Sequence, residues 1–243
     1  MITIKSTAFH LMPVNVIWFA NKPKKWNFLL SYYKQSAFSG IVPGYYREPF
    51  FTKIINIADP KETFEQGFDQ NTTYEIRRAI KDGVITETET DIQHFIDFYN
   101  AFAITKHLPK LNKDFYRYQD RIIITKAIYN NQDIVMHSYL KDDSLKRIRL
   151  LQSASLFRNE TDTQLRAIIG RANRLLHFKD MCFFKEQSFE IYDLGGYAQG
   201  TSDKALARIN QFKDSFGGEL IKESDYLPIS ALGLRFFTKL FKV

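Results

Sequence analysis

The stretch RIIITKAIYNNQDIVMHSYLKDDSLKRIRLLQSASLF (121–157) limits the fold more than any other part of the chain. Three runs rich in apolar, β-branched and aromatic residues are separated by NNQ and KDDS, both turn compositions. Strands joined this tightly pair as antiparallel neighbours, because a parallel crossover needs about a dozen residues or more. The chain must therefore build its core on a β-meander.

The flanking pattern supplies the rest of the architecture. PKETFEQGFDQNTTYEIRRAIKDG reads as one or two helices closing at Gly83, and VITETET alternates as a strand does. A helix opens at Asp91, with Ile92, Phe95, Ile96, Tyr99 and Phe102 on one stripe. After the meander, Leu165, Ile168, Ile169, Ala172, Leu175 and Leu176 define another helix, capped by Thr161 or Thr163. FEIYDLGGY is a strand, SDKALARINQFKDSFGG a helix with Ser202 or Asp203 at its start, and ELIKESDYLPI a last strand. In the opening 60 residues, NVIWFAN and FTKIINIAD read as strands and KKWNFLLSYYKQSAF as a helix. The expected fold is α+β: a mixed, mainly antiparallel sheet flanked by helices. Residues 1–56 form a basic, β-rich part of the same domain, 57–228 its core, and 229–243 an amphipathic tail.

Composition narrows the function classes. Hydrophobic residues make up 44% and charged residues 25%, with 22 Phe and 13 Tyr, which argues against disorder. The single cysteine, Cys182, excludes an internal disulfide framework and a cysteine-cluster metal site, and suits a reducing cytoplasm. No metal-ligand spacing is present. No run reaches the roughly 18 apolar residues of a membrane span, and the start lacks a signal-peptide pattern, so a cytoplasmic protein is expected. Of the net charge of +7, residues 1–56 contribute +6: seven Lys/Arg against Glu48 alone. A basic excess attracts nucleic acid, anionic lipid or phosphorylated substrates.

One residue breaks the binary pattern. At 100° per residue, Ala205, Leu206, Ile209, Phe212 and Phe216 share an arc of about 120°, and Lys213 projects within it. Either its stem packs on the core with the tip in water, or the ammonium is aimed into a pocket, where it would stabilise charge developing on a substrate oxygen. The pairs Gly195–Gly196 and Gly217–Gly218 bracket this helix, and glycines at such positions admit close approach of a ligand or another backbone.

The blocks NTTYEIRRAIKDGV (71–84), RLLQSASLF (149–157), IGRANRLLHFKDMCFFKEQSFEIYDLGGY (169–197) and INQFKDSFGGE (209–219) together resemble the Fem-type peptidoglycan aminoacyltransferases and related FemAB-like proteins of the GNAT superfamily. The resemblance covers roughly residues 57–225. It implies a GNAT-like fold that moves an acyl or aminoacyl group onto an amine. The family's reactive-site lysine falls on Lys213, with Phe212 beside it and Phe216 and Gly217 in the same block. Arg77 and Arg78, by pattern a solvated helix face, would under this likeness approach a phosphate-bearing substrate. Members that use acetyl-CoA have a phosphate loop at a helix start. Here RAIIGRA (166–172), with Arg166, Gly170 and Arg171, only approximates it, carrying one residue too many after Arg166 and placing Gly170 inside the helix. The donor is accordingly an acyl-CoA, an aminoacyl-tRNA or another thioester, and no resident cofactor is expected. Fem proteins proper have two such domains, whereas this chain has room for one, so contacts of a second domain do not carry over.

Acyl transfer needs a neutral amine, a polarised carbonyl and a stabilised oxyanion. Lys213 would supply the last. Asp193 would hold the amine or take its proton, unless it is a turn carboxylate. Tyr192 and Tyr197 flank the glycine turn as proton donors or core. Tyr192 and Asp193 lie on opposite strand faces. His137 reads as a satisfied sheet histidine or a substrate contact, and Cys182 as a helix residue without a base. In the tail, Leu232, Phe236, Phe237, Leu240 and Phe241 share a face, consistent with docking on an anionic membrane or with packing. The expected function is an N-acyltransferase acting on an amino-sugar nucleotide, surface-polysaccharide or peptidoglycan precursor. The alternative is a non-catalytic binding module for a glycan precursor, a tRNA or a protein.

Overall fold

The computed structural model describes residues 1–8, 12–25, 31–158 and 160–231. The chain begins with four strands, β1 (Ile2–Ala8), β2 (Met12–Trp18), β3 (Ser31–Ser36) and β4 (Tyr45–Asn56), followed by helices α1 (Lys61–Gln66) and α2 (Gln70–Lys81). Strand β5 (Ile85–Glu89) and helix α3 (Ile92–Lys106) precede the meander of β6 (Ile122–Tyr129), β7 (Gln132–Asp142) and β8 (Arg147–Ser155). Helix α4 (Thr163–Glu186), β9 (Ile191–Gly196), α5 (Lys204–Asp214) and β10 (Glu219–Pro228) complete the order. This is the expected class: mixed, mostly antiparallel sheet with flanking helices. Two compact units make it up, residues 1–52 with 196–199 and 220–243, and residues 53–195 with 200–219.

In the smaller unit β1 and β2 form an antiparallel hairpin, from Ile2 opposite Trp18 to Ala8 opposite Met12. Strand β3 joins β2 in parallel and β10 pairs with β3 antiparallel. Ile17, Tyr33, Val42, Tyr45 and Tyr226 form its core. The helix expected over 24–38 is overturned at residues 31–36, which are β3. Ser31, Tyr33 and Gln35 are buried while Tyr32 and Lys34 are half-buried. That period of two, in a segment with paired tyrosines, outcompetes helical spacing once β2 and β10 offer partners. The apolar stripe at 232–241 lies outside the described residues.

In the larger unit the sheet order is β9-β8-β7-β6-β5. Only β8 and β9 are parallel. The β6–β7 turn is made by Asn130 and Asn131, both left-handed at φ 50° and 61°, a conformation asparagine tolerates and one that suits a tight hairpin. Met136 packs with Phe95, Phe115 and Ile124 under α3, whereas its neighbour Val135 and Tyr139 pack with Ile169, Leu176, Met181 and Phe184 of α4. Adjacent strand residues point to opposite faces, so α3 and α4 cover opposite sides of the sheet. Helix α4 is capped by Asp162, not by Thr161 or Thr163: its carboxylate accepts from the amides of Gln164 and Leu165. A charged cap suits the positive helix start better than a hydroxyl. Asp91 and Asp203 cap α3 and α5 in the same way.

The glycines after α5 are demanded by packing. Gly217 and Gly218 have φ of +70° and +78°; a Cβ on Gly217 would sit 2.5 Å from the Gly67 carbonyl oxygen, and one on Gly218 would sit 2.2 Å from that of Ile54. Both positions thus exclude a side chain twice over, by conformation and by space.

Candidate active site

Beside the β8–β9 ladder, which pairs Arg147–Arg149 with Ile191–Asp193, the larger unit has a cavity of about 360 Å³. Leu150, Ser153 and Ser155 of β8 and Leu194 of β9 line it, together with Phe102 and Lys106 of α3, Phe157 just after β8, Asn173 and His177 of α4, and Ala205, Arg208, Ile209, Phe212 and Lys213 of α5. Among the described residues its lining includes three cationic side chains, Lys106, Arg208 and Lys213, and no carboxylate. Part of the apolar arc expected on α5, Ala205, Ile209 and Phe212, therefore borders this opening, while Phe216 is buried in the core. Ile209 remains 44% exposed and Leu206 42%, while Lys213 is only 9% exposed.

Helix α5 carries Lys213 to the inner end of the cavity wall, and its ammonium donates to the Gly195 carbonyl at 3.0 Å. Burial is the main influence on its pKa and lowers it. The Asp193 charge pulls in the opposite direction and Arg149 adds to the fall, leaving the group at about 8 instead of 10.5. The buried Asp193 carboxylate also binds Arg147 at 2.6 and 3.1 Å and accepts from the Gly195 amide at 2.8 Å. Lys213 thus stays mostly protonated at pH 7. Such a cation is suited to an oxygen that becomes negative during reaction.

Behind the cavity runs a buried chain of polar groups. The Asp180 carboxylate accepts from Tyr139 at 2.6 Å and Thr125 at 3.1 Å. The Tyr139 and Tyr192 hydroxyls are 2.6 Å apart, and Tyr192 is 2.7 Å from His177 Nδ1. His137 sits alongside, 3.0 Å from Asp180 and 2.8 Å from Asn173. Burial, then the charges of His137, Lys213 and Arg174, holds the His177 imidazole well below its ordinary 6.5. Burial likewise raises both tyrosines well above 10, so they keep their protons.

Of the residues singled out from sequence, Lys213 and Phe212 line the cavity. Tyr192 and His137 lie one layer behind it, in the polar chain. Phe216 packs 5.3 Å from the ring of His177, and Gly217 against Gly67. Gly195 supplies the carbonyl that orients Lys213. Gly196 and Tyr197 belong to the smaller unit, where the Tyr197 amide donates to Phe51. Arg77 borders a separate depression with Phe68 and Phe178, and Arg78 pairs with Asp82 at 3.0 Å. Arg171 binds the same Asp82 at 2.8 Å, Arg166 stacks 4.7 Å over Phe157, and Gly170 lies inside α4. The α4 amides that a phosphate would use are taken by Asp162. His177, Asn173 and Asp180 were not singled out. Their signal was present, as polar residues spaced by four and three along a helix face that is otherwise apolar.

A second cluster, Glu89, His94 and Asp133, has the donor types of a cation site. It already surrounds the Lys126 ammonium, 3.0 Å from Glu89 and 3.6 Å from Asp133.

Neither a protein-family model nor a curated protein sequence matches this chain. Solved structures do. FemX aligns over 95% of this chain and 85% of its own, with a TM-score of 0.64 and 11% identity. The C-terminal domain of a protein assigned as lysylphosphatidylglycerol synthetase from Agrobacterium fabrum aligns over 86% and 72%, with a TM-score of 0.56 and 10% identity. L-PGS from Bacillus licheniformis aligns over 82% and 68%, at 0.51 and 11%. The chain therefore has the fold of FemX and of these synthetase domains. Among the described residues no helix is long and apolar enough to cross a membrane.

Proposed function

We propose that the protein transfers an acyl or aminoacyl group onto an amine of an anionic cell-envelope precursor. Lys213 carries this reading: a buried ammonium, donating to the Gly195 carbonyl, at the wall of a cavity whose described lining residues include no carboxylate. It would stabilise the oxyanion formed when the amine attacks the acyl carbonyl. Lys106 and Arg208 on the same wall favour substrates with phosphate or carboxylate groups. The fold shared with FemX supports the same class. So does lysylphosphatidylglycerol synthetase, whose name joins an aminoacyl group to a cell-envelope lipid.

The occupied start of α4 favours an aminoacyl-tRNA over a coenzyme A thioester as donor, and the +6 charge of residues 1–56 suits a tRNA. Acceptors with an amino-sugar nucleotide or peptidoglycan headgroup fit the cationic wall best. The protein incubated with radiolabelled aminoacyl-tRNAs and, separately, acyl-CoA thioesters, against UDP-linked amino-sugar and muropeptide acceptors, should give a labelled acceptor. Lys213→Ala should lower the rate about 10²–10³-fold. Transfer undiminished in that variant would remove the lysine from the mechanism.

A further inference from the structure

The cavity holds a second group placed for chemistry, His177, and hydrogen-bond bookkeeping fixes which of its nitrogens is available. Asp180, as a carboxylate, only accepts, and at 2.6 Å it is nearer to the Tyr139 hydroxyl than His137 Nδ1 at 3.0 Å, so the Tyr139 proton goes to it, away from Tyr192. The Tyr139 oxygen is then the acceptor for the Tyr192 proton at 2.6 Å. The Tyr192 oxygen is left to accept, and at 2.7 Å its partner is His177 Nδ1–H. With Nδ1 carrying the proton, a neutral imidazole has its lone pair on Nε2. Among the described residues Nε2 makes no hydrogen bond, and the ring lines the cavity that Lys213 also lines. Asp180, Tyr139, Tyr192 and His177 are all at most 2% exposed, so no bulk water competes for these bonds.

We propose that His177 is the proton acceptor of this cavity, its Nε2 lone pair aimed at substrate by the Asp180–Tyr139–Tyr192 chain. The proposal rests on the acyl-transfer reading and assigns the half of the reaction that Lys213 does not perform. The amine nitrogen bonds to the acyl carbon while the carbonyl π pair moves to oxygen, beside the Lys213 ammonium. The surplus proton on nitrogen passes to His177 Nε2. When the oxyanion re-forms the carbonyl, the bond to the leaving oxygen or sulfur breaks, and that atom takes the proton back from His177. Amine and acyl donor become amide and protonated leaving group, and the imidazole returns to its starting form.

The groups around the ring agree with this division. His137 lies 4.3 Å away ring to ring, from β7; Lys213 of α5 and Arg174 of α4 add positive charge, and the Tyr192 hydroxyl comes from β9. Each cation opposes a proton on His177 before substrate arrives, while Asp180, the acid of the network, is separated from it by two hydroxyls.

The test uses the full chain labelled with ¹⁵N-histidine, with long-range ¹H–¹⁵N spectra recorded from pH 8 to 5.5. His177 should be neutral throughout, protonated on Nδ1 and bare on Nε2. Tyr139→Phe frees the Tyr192 proton to point at Nδ1, so in that variant the tautomer should switch to Nε2–H. A wild-type Nε2–H tautomer, an imidazolium near pH 6.5, or an unchanged tautomer in Tyr139→Phe would overturn the proposal. In the transfer assay, His177→Ala should lower kcat about 10²–10⁴-fold with little change in KM. Full kcat in this variant would overturn it as well. Absence of transfer by the wild-type protein would instead sink the reaction class, while the spectra still decide whether the cavity presents a bare Nε2.

Discussion

Lys126 and Lys213 are both largely buried lysines of the larger unit, and their surroundings give them opposite characters. Lys126 meets Glu89 at 3.0 Å and Asp133 at 3.6 Å. Burial pulls its pKa down, but Glu89, Asp133 and Glu87 more than reverse this and leave it raised. Its partner responds in kind. Burial would raise Glu89, yet the Asp91 amide, His94 and Lys126 outweigh that and hold it at about 2. Lys213 donates to the neutral Gly195 carbonyl, and the Asp193 charge close to it also binds Arg147. Its pKa falls to about 8. One cation is held charged by the carboxylates around it; the other is pushed toward neutrality by burial at the wall of the cavity.

The largest difference should appear in catalysis. Lys213→Ala is expected to cost about 10²–10³-fold in transfer rate, whereas Lys126→Ala should leave the rate within a factor of two. Equal losses would erase the distinction between the two sites.

Stability should move in the opposite sense. The fall from 10.5 to about 8 corresponds to about 3 kcal/mol against the charged form of Lys213. Lys213→Met should therefore raise the unfolding free energy at pH 7 by about 2–3 kcal/mol in urea titrations. Lys126→Met should lower it by about 1–2 kcal/mol, because Glu89 and Asp133 lose their shared partner. The pH dependence follows from the same signs. Between about pH 8 and 10.5 the folded protein releases the Lys213 proton while the unfolded chain keeps it, so stability rises with pH in that window. The Lys126 contribution is complete below 10.5 and fades as pH climbs through its raised folded-state pKa. Urea midpoints for each single variant between pH 7 and 11 separate the two trends.

The smallest effect is a displacement on the pH axis. Transfer that depends on protonated Lys213 should decline above about pH 8, and Lys213→Arg, which remains charged, should move that decline upward while retaining some rate. A limb that stays at 8 in the arginine variant would belong to another group.

These contrasts were only partly visible in the sequence. The meander was legible because Asn130–Asn131 and Lys141–Ser144 advertise turns between β-branched runs. The place of Lys213 was legible because a helix projects its residues at fixed angles. The projection placed the lysine on the apolar arc, but could not show that its neighbours Leu206 and Ile209 stay 42% and 44% exposed. That distinction depends on α3 and β8 arriving opposite α5, which no local pattern records. His177 illustrates the same limit. Its role arises from hydroxyls 15 and 38 residues away, on β9 and β7, and sequence spacing along α4 shows only that it sits among apolar residues. Strand β3 was misread because its tyrosines suit either period, and its partners β2 and β10 decided the outcome.

The tight seating of Gly217 and Gly218 bears on how such a scaffold diversifies. With Gly218 wedged against the Ile54 carbonyl and Gly217 against Gly67, the last turn of α5 is positioned by main chain rather than by exchangeable side chains. Ala205, Arg208 and Ile209, one to two turns earlier, are free to vary in size and charge while the lysine holds its place. Selection for a new substrate can rewrite that wall a residue at a time, and saturation libraries restricted to those three positions should yield altered specificity with few folding failures.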